Sequence, residues 1–155
     1  MNRKSHLGRY VAIGFLVLIL VVATTFGTGL MGFIDPASML IIAVMSISMI
    51  VFSNHWSDYV RAMRIAIGNF ECTTKELKAS KNAMDLSIKA VFLSGIIGTV
   101  VGIISYLMIL EDPTSFLGAA AAVALLTLLY ACVINIVQYA IKAMIEKEII
   151  YRDYE

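Results

Sequence analysis

The sequence predicts an all-α polytopic membrane protein with four transmembrane helices, a short cytoplasmic helical hairpin and both termini in the cytoplasm. Three observations carry that expectation. Of 155 residues, 60% are hydrophobic and 15% charged, whereas soluble domains average about 45–50% apolar and about 25% charged. Uncharged stretches occupy 10–34, 37–52, 90–110 and 116–141, and a spanning helix takes roughly 20 apolar residues. All 12 basic residues fall before the first stretch, between the second and third, or after the fourth. Four spans leave no room for a sizeable soluble domain, so 1–155 reads as one membrane domain.

The first stretch, Tyr10 to Ile34, follows Arg3, Lys4 and Arg9. It is longer than the roughly 7–15-residue apolar core of a secretory signal and reads as a span. Asp35-Pro36 then makes a tight turn, because proline stops the preceding helix from running on. Ala37 to Phe52 is a short second span. Trp56 and Tyr59, side chains that favour the membrane–water interface, flank it, so its helix is expected to continue past the lipid.

A hairpin is expected over 54–89. In its first arm Val60, Met63, Ile67 and Phe70 recur at helical spacing, an amphipathic pattern. Gly68-Asn69 and Glu71-Cys72-Thr73 mark a reversal, and Thr73-Thr74-Lys75-Glu76 has the form of a capping box, in which threonine and glutamate satisfy free amides at a helix start. A helix should therefore begin near Thr74 and run through Leu77, Met84 and Ile88 into span three. Ending at Leu110, it would measure about 55 Å at about 1.5 Å per residue, so roughly 25 Å would project beyond a ~30 Å hydrocarbon core.

Glu111-Asp112-Pro113 turns the chain into span four, and the tail containing Glu146, Lys147, Glu148, Arg152, Asp153 and Glu155 reads as a solvated helix end. The outer turns carry only Asp35, Glu111 and Asp112, so the positive-inside rule places both termini and the middle loop in the cytoplasm.

No Asp, Glu, Lys, Arg or His occurs inside the four spans. A carrier that moves protons by itself needs an ionisable group in the membrane, so any titrating group belongs to another chain. Enzymes are disfavoured for the same reason: His6 and His55 are loop residues, no nucleophile has a base beside it, and no glycine-rich phosphate loop appears. The net charge of +1 gives no pull toward nucleic acid. Cys72 and Cys132 lack metal-ligand spacing and read as free thiols, and no metal or cofactor is implied. Met39, Met45 and Met49 read as lipid-facing or packing residues rather than metal ligands.

What the spans do contain is small and polar. Gly95, Gly98, Thr99 and Gly102 share one helical face of span three, where small residues let another backbone approach. Span four answers with alanines, Ala120 and Ala124 among them, followed by Thr127, Asn135 and Gln138. Thr99, Thr127, Asn135 and Gln138 are candidate ion-path residues, since polar side chains in lipid face protein or water. Gly95, Gly98, Gly102, Ala120 and Ala124 are candidate packing positions against a neighbouring subunit or an axle, and Glu111 and Asp112 could attract cations at an outer mouth. The alternative is that the small residues only pack helices and that Thr99 and Thr127 bond back to their own backbone carbonyls.

Three blocks resemble the MotA/TolQ/ExbB family, and within it a shortened flagellar-stator A subunit of the MotA type. They are Gly32-Phe33-Ile34-Asp35-Pro36-Ala37-Ser38-Met39-Leu40-Ile41; Gly95-Ile96-Ile97-Gly98-Thr99-Val100-Val101-Gly102; and Leu110-Glu111-Asp112-Pro113 followed by Gly118 and Ala124-Leu125-Leu126-Thr127-Leu128-Leu129-Tyr130. The resemblance implies a ring, usually of five subunits, in a bacterial inner membrane. The ring surrounds single-span helices of a B-type partner of the MotB or ExbD kind. That partner supplies the protonatable aspartate, and the third and fourth spans line the ion path. The chain departs from the pattern in its short segment 54–89, in having only Pro36 and Pro113 as prolines, and in Leu128, which stands where the second threonine of the fourth-span pair is expected. The reading that follows is a ring-forming subunit of an ion-driven motor or energy-transducing complex, with protons favoured as the ion. A scaffold that kept the ring and lost conduction is the alternative, and an unrelated small four-helix transporter is a third.

Overall fold

The computed structural model describes Val21 and residues 34–68, 72–109 and 117–154, all helical apart from short connections. The chain divides into Met1–Asp35 and Pro36–Glu155, and the architecture below is that of the second unit. Apart from Val21 and Ile34, the expected first span therefore lies outside the described residues.

Helix α1 runs Pro36–Phe52, opening on a proline whose missing N–H is needed by no hydrogen bond in a first turn. Its inner stripe is Ser38, Ile42, Ser46 and Ile50, one residue per turn along a single face. The helix does not continue past the apolar stretch as the sequence suggested. Asn54 adopts φ 56°, the His55 N–H reaches Ile50 O at 3.1 Å, and the Asn54 N–H reaches Val51 O at 3.0 Å. This is a Schellman termination, in which a left-handed residue lets the last carbonyls find donors, and asparagine tolerates that conformation better than most residues.

The chain then bends by 116° into α2, Trp56–Ile67. Arg61 pairs with Asp58 at 2.6 Å and Glu76 at 3.8 Å. The inward face differs from the expected one. Ala62 is fully buried in a core cluster against which the expected Met63 packs together with Tyr59, Ile65 and Ala66, whereas Ile67 is 76% exposed because the helix ends there. Phe70 lies outside the described residues.

Helix α3, Thr74–Ile109, starts where the capping box places it. The Thr73 N–H donates to Glu76 Oε2 at 2.8 Å, and the Glu76 N–H donates back to Thr73 Oγ1 at 3.3 Å. Thr73 Oγ1 also donates to Glu76 Oε2 at 2.9 Å, and the two bonds from Thr73 to the carboxylate, the backbone one first, hold Glu76 below its ordinary pKa. Helix α4 runs Leu117–Asp153. The two long helices are antiparallel neighbours, and each is long and apolar enough to cross a membrane. Helix α1, 17 residues long and so about 25 Å, qualifies only jointly with α2 as a broken span.

Buried positions on α3 recur as Leu77, Ser80, Met84, Ser87, Val91, Ser94 and Gly98, the three–four alternation of a coiled-coil seam. At the charged end Leu77 and Met84 meet Ile141, Ile145 and Ile149 together with Ala62 and Cys72. The tail is thus one wall of a three-helix core, not simply a solvated helix end: Arg152 donates to the Cys72 carbonyl and Lys78 pairs with Asp153 at 3.3 Å. Cys72 and Cys132 are both free thiols, but Cys72, in the polar stretch, is the buried one. Burial pushes its pKa up, and the Arg152 charge partly opposes that.

Candidate functional site

Three helices meet along the apolar part of the α3–α4 seam, and the residues facing one another there form two polar clusters with an apolar closure between them. In the first cluster, α1 contributes Ser38, α3 contributes Thr99, and α4 contributes Thr127. The Ser38 and Thr127 hydroxyls lie 2.7 Å apart, with Ser38 and Thr127 both buried. Thr99 Oγ1 donates to Gly95 O at 2.8 Å and to Ala124 O at 3.0 Å, so one hydroxyl proton is shared between its own helix and the next. Thr127 also has Val123 O at 3.4 Å. Both threonines therefore make the bond back to a carbonyl four residues earlier, and each in addition reaches a second helix.

The glycines explain how the helices come this close. A Cβ at Gly98 would stand 2.8 Å from Thr127 Cγ2 and 3.3 Å from Ile41 Cγ2, and one at Gly95 would overlap Ala131 Cβ. At Gly102 the nearest atom, Ala124 Cβ, is 3.8 Å away, which is ordinary contact. Gly95, Gly98 and Gly102 thus face α4 of their own chain, and Ala124 is the small residue opposite. Ala120 belongs to α4, but its side chain is outside the described part, as are Glu111 and Asp112.

The closure is the Gly95–Ala131 approach, lined by Ile42 and Val91 with Tyr130 packed against it. Beyond it, toward the charged end, lies the second cluster. Gln138 Nε2 donates to Ser87 Oγ at 2.9 Å, and Asn135 stands one turn away on the same face of α4. Asn135 Oδ1 and Gln138 Oε1 are buried without a donor. The expected ion-path residues are thereby split, Thr99 and Thr127 on one side of the closure and Asn135 and Gln138 on the other. Immediately below, Asp85 pairs with Lys142 at 2.5 Å and Lys81 with Glu146 at 3.2 Å.

Ser38 and Ser87 escaped the sequence reading, which looked for function in threonines and amides. A signal was present for one of them. Ser80, Ser87 and Ser94 recur every seven residues, a spacing that keeps a polar residue on one seam of a paired helix. Ser38 offered no such signal, since a serine in an apolar helix often bonds only its own backbone, as Ser46 does to Ile42 O at 2.6 Å.

Long apolar helices sealed by glycine, alanine and hydroxyl contacts, with no Asp, Glu, Lys, Arg or His in the described seam from Ala90 to Ile109 and Leu117 to Ile141, define a multi-pass helical membrane protein with a polar interior line that does not itself titrate. Residues 40–151 match the model of the MotA/TolQ/ExbB proton channel family, well over half of the chain. The chain belongs to that family, whose members are membrane energy-transduction subunits of the proton-channel type. The glycine–threonine block of α3 and the Ala124–Tyr130 block of α4 lie inside the match; the block around Pro36 falls mostly before it. No curated protein matches the sequence.

Proposed function

We propose that this chain is a ring-forming subunit of a proton-driven membrane motor or energy-transducing complex in a bacterial inner membrane. In this reading it crosses the membrane four times, with both termini and the charged end in the cytoplasm, and five copies surround single-span helices of a B-type partner. The partner brings an aspartate close to the Ser38–Thr99–Thr127 cluster, and Glu111 and Asp112 sit at the outer mouth.

The observation that carries the proposal is a buried seam in a family member that offers hydroxyls and amides but no carboxylate. A charge crossing the membrane yields about 2.3 kcal/mol per 100 mV, and that work is harvested only through a group able to bind and release the ion. A partner carboxylate beside Thr99 would accept its hydrogen bond when ionised and lose it when protonated, so each proton changes the contact between ring and axle. Leu128 leaves fewer oxygens to replace the hydration shell of a hard cation, which favours protons over sodium.

One observation supports the alternative of a non-conducting scaffold: the Thr99 proton is already shared between two carbonyls of its own chain, and Thr127 is engaged by Ser38. Ion flux into liposomes, with and without the co-purified partner, decides. Flux that needs the partner and falls on Thr99→Ala in an intact ring supports the motor. A ring that carries the partner and conducts nothing supports the scaffold, and strong flux from this chain alone overturns both.

A further inference from the structure

We infer that Ser87, Asn135 and Gln138 form a binding site for ordered water inside each subunit, reached from the charged end of the bundle and closed on the other side by the Gly95–Ala131 contact. The site is built from buried polar atoms that the protein leaves unanswered. Asn135 is 7% exposed and Gln138 4%, and both amide oxygens lack a donor. Buried polar atoms are overwhelmingly paired in native proteins, with protein or with ordered water. A buried water makes two to four hydrogen bonds, and here it has three partners: it accepts from the Ser87 hydroxyl and donates to the two amide oxygens.

The neighbouring serines show that this arrangement differs from the usual one. Ser46 and Ser94 satisfy themselves on carbonyls four residues back, Ser46 at 2.6 Å and Ser94 at 2.7 Å. Ser87 instead accepts from Gln138, which leaves its own proton for another acceptor. Ser80, seven residues nearer the charged end on the same face, is also fully buried and its hydroxyl oxygen has no partner, so the unanswered polar atoms run along the seam toward the Asp85–Lys142 pair. The continuous run ends at Ala131, which is fully buried against Gly95; the other unanswered buried oxygen among the described residues, Tyr106 Oη, lies beyond that closure toward the far end of α3.

The water site stands independently of conduction; its use as the inner end of the ion route rests on the function proposed above. Neither test below requires the partner or flux, so a failure here is distinguishable from a failure of that reading. Gln138 is the only glutamine in the chain, which makes its side-chain amide signal identifiable in the unmodified protein. Water-to-protein magnetisation transfer in membranes should reach the Gln138 amide as fast as an exposed side-chain amide such as that of Asn82. Transfer as slow as to the Ala131 methyl overturns the site. In a Cys72→Ala, Cys132→Ala background, a cysteine replacing Ser87 should react with a small charged methanethiosulfonate at least about tenfold faster than one replacing Ala131, since the thiolate forms only where water reaches it. Equal rates in folded protein overturn the proposal as well.

Discussion

The same pair of helices is held together differently at its two ends. In the apolar part α3 and α4 meet through Gly95, Gly98, Ala124 and Ala131 and through hydroxyls. At the charged end they meet through Leu77, Met84, Ile145 and Ile149, with Asp85–Lys142, Lys81–Glu146 and Lys78–Asp153 along the rim. The contrast follows from the solvent. In lipid, burying an apolar side chain against protein gains little over leaving it in hydrocarbon, so association depends on close packing and interhelical hydrogen bonds. In water, apolar burial is the dominant driving force, and large side chains provide more of it. In the membrane arrangement proposed above, the change of adhesive near Ser87 and Gln138 is where the helices would leave one medium for the other.

Substitution can break this comparison, most severely at the glycines. Gly95→Leu should abolish the folded chain, since even a Cβ overlaps Ala131; loss of monodisperse protein on size exclusion measures it. Among alanine substitutions Gly95 should suffer most, Gly98 next, at about 1–3 kcal/mol for overpacking, and Gly102 little because 3.8 Å is available. Equal tolerance at all three would mean the seam is looser than its backbone spacing indicates.

At the charged end, Ile145→Ala should cost about 2–5 kcal/mol, as for other large-to-small changes in a core, read from thermal unfolding in detergent. The matched comparison is Leu125→Ala, an exposed position in the apolar part, which should be far milder. Thr127→Val removes the hydroxyl from Ser38 with little change of shape, and interhelical hydrogen bonds of this kind average about 0.6 kcal/mol.

The smallest effect is expected at the α3 cap. Two hydrogen bonds from Thr73 depress the Glu76 pKa, so the cap is intact at neutral pH, above the ordinary glutamate value, and is lost as pH falls through the lowered value. Hydrogen exchange of the first α3 turn should quicken below that point, and Glu76→Gln should flatten this response. Lys78→Ala, which removes an exposed pair with Asp153, should stay within about 1 kcal/mol.

What the sequence determined is whatever depends on near neighbours in the chain or on summed composition. The Thr73–Glu76 cap spans four residues, so α3 begins where those residues require. The length of α3 follows from an unbroken run with no proline, and membrane residence from the uncharged stretches. Thr99, Thr127, Asn135 and Gln138 were recognisable as polar residues with few reasons to face lipid.

The tertiary structure decided everything that depends on which helix stands opposite. A sliding of α3 against α4 by one turn would leave every local pattern intact while separating Gly95 from Ala131 and Ser87 from Gln138. The division of the polar line into two clusters is therefore a property of register. Cys72 is buried and Cys132 exposed for the same reason, because composition reports the average solvent of a stretch, whereas burial depends on the one side chain or carbonyl that happens to face it. Ser38 became a partner of Thr127 only because Gly98, lacking a Cβ, lets α1 and α4 close over α3 at that level.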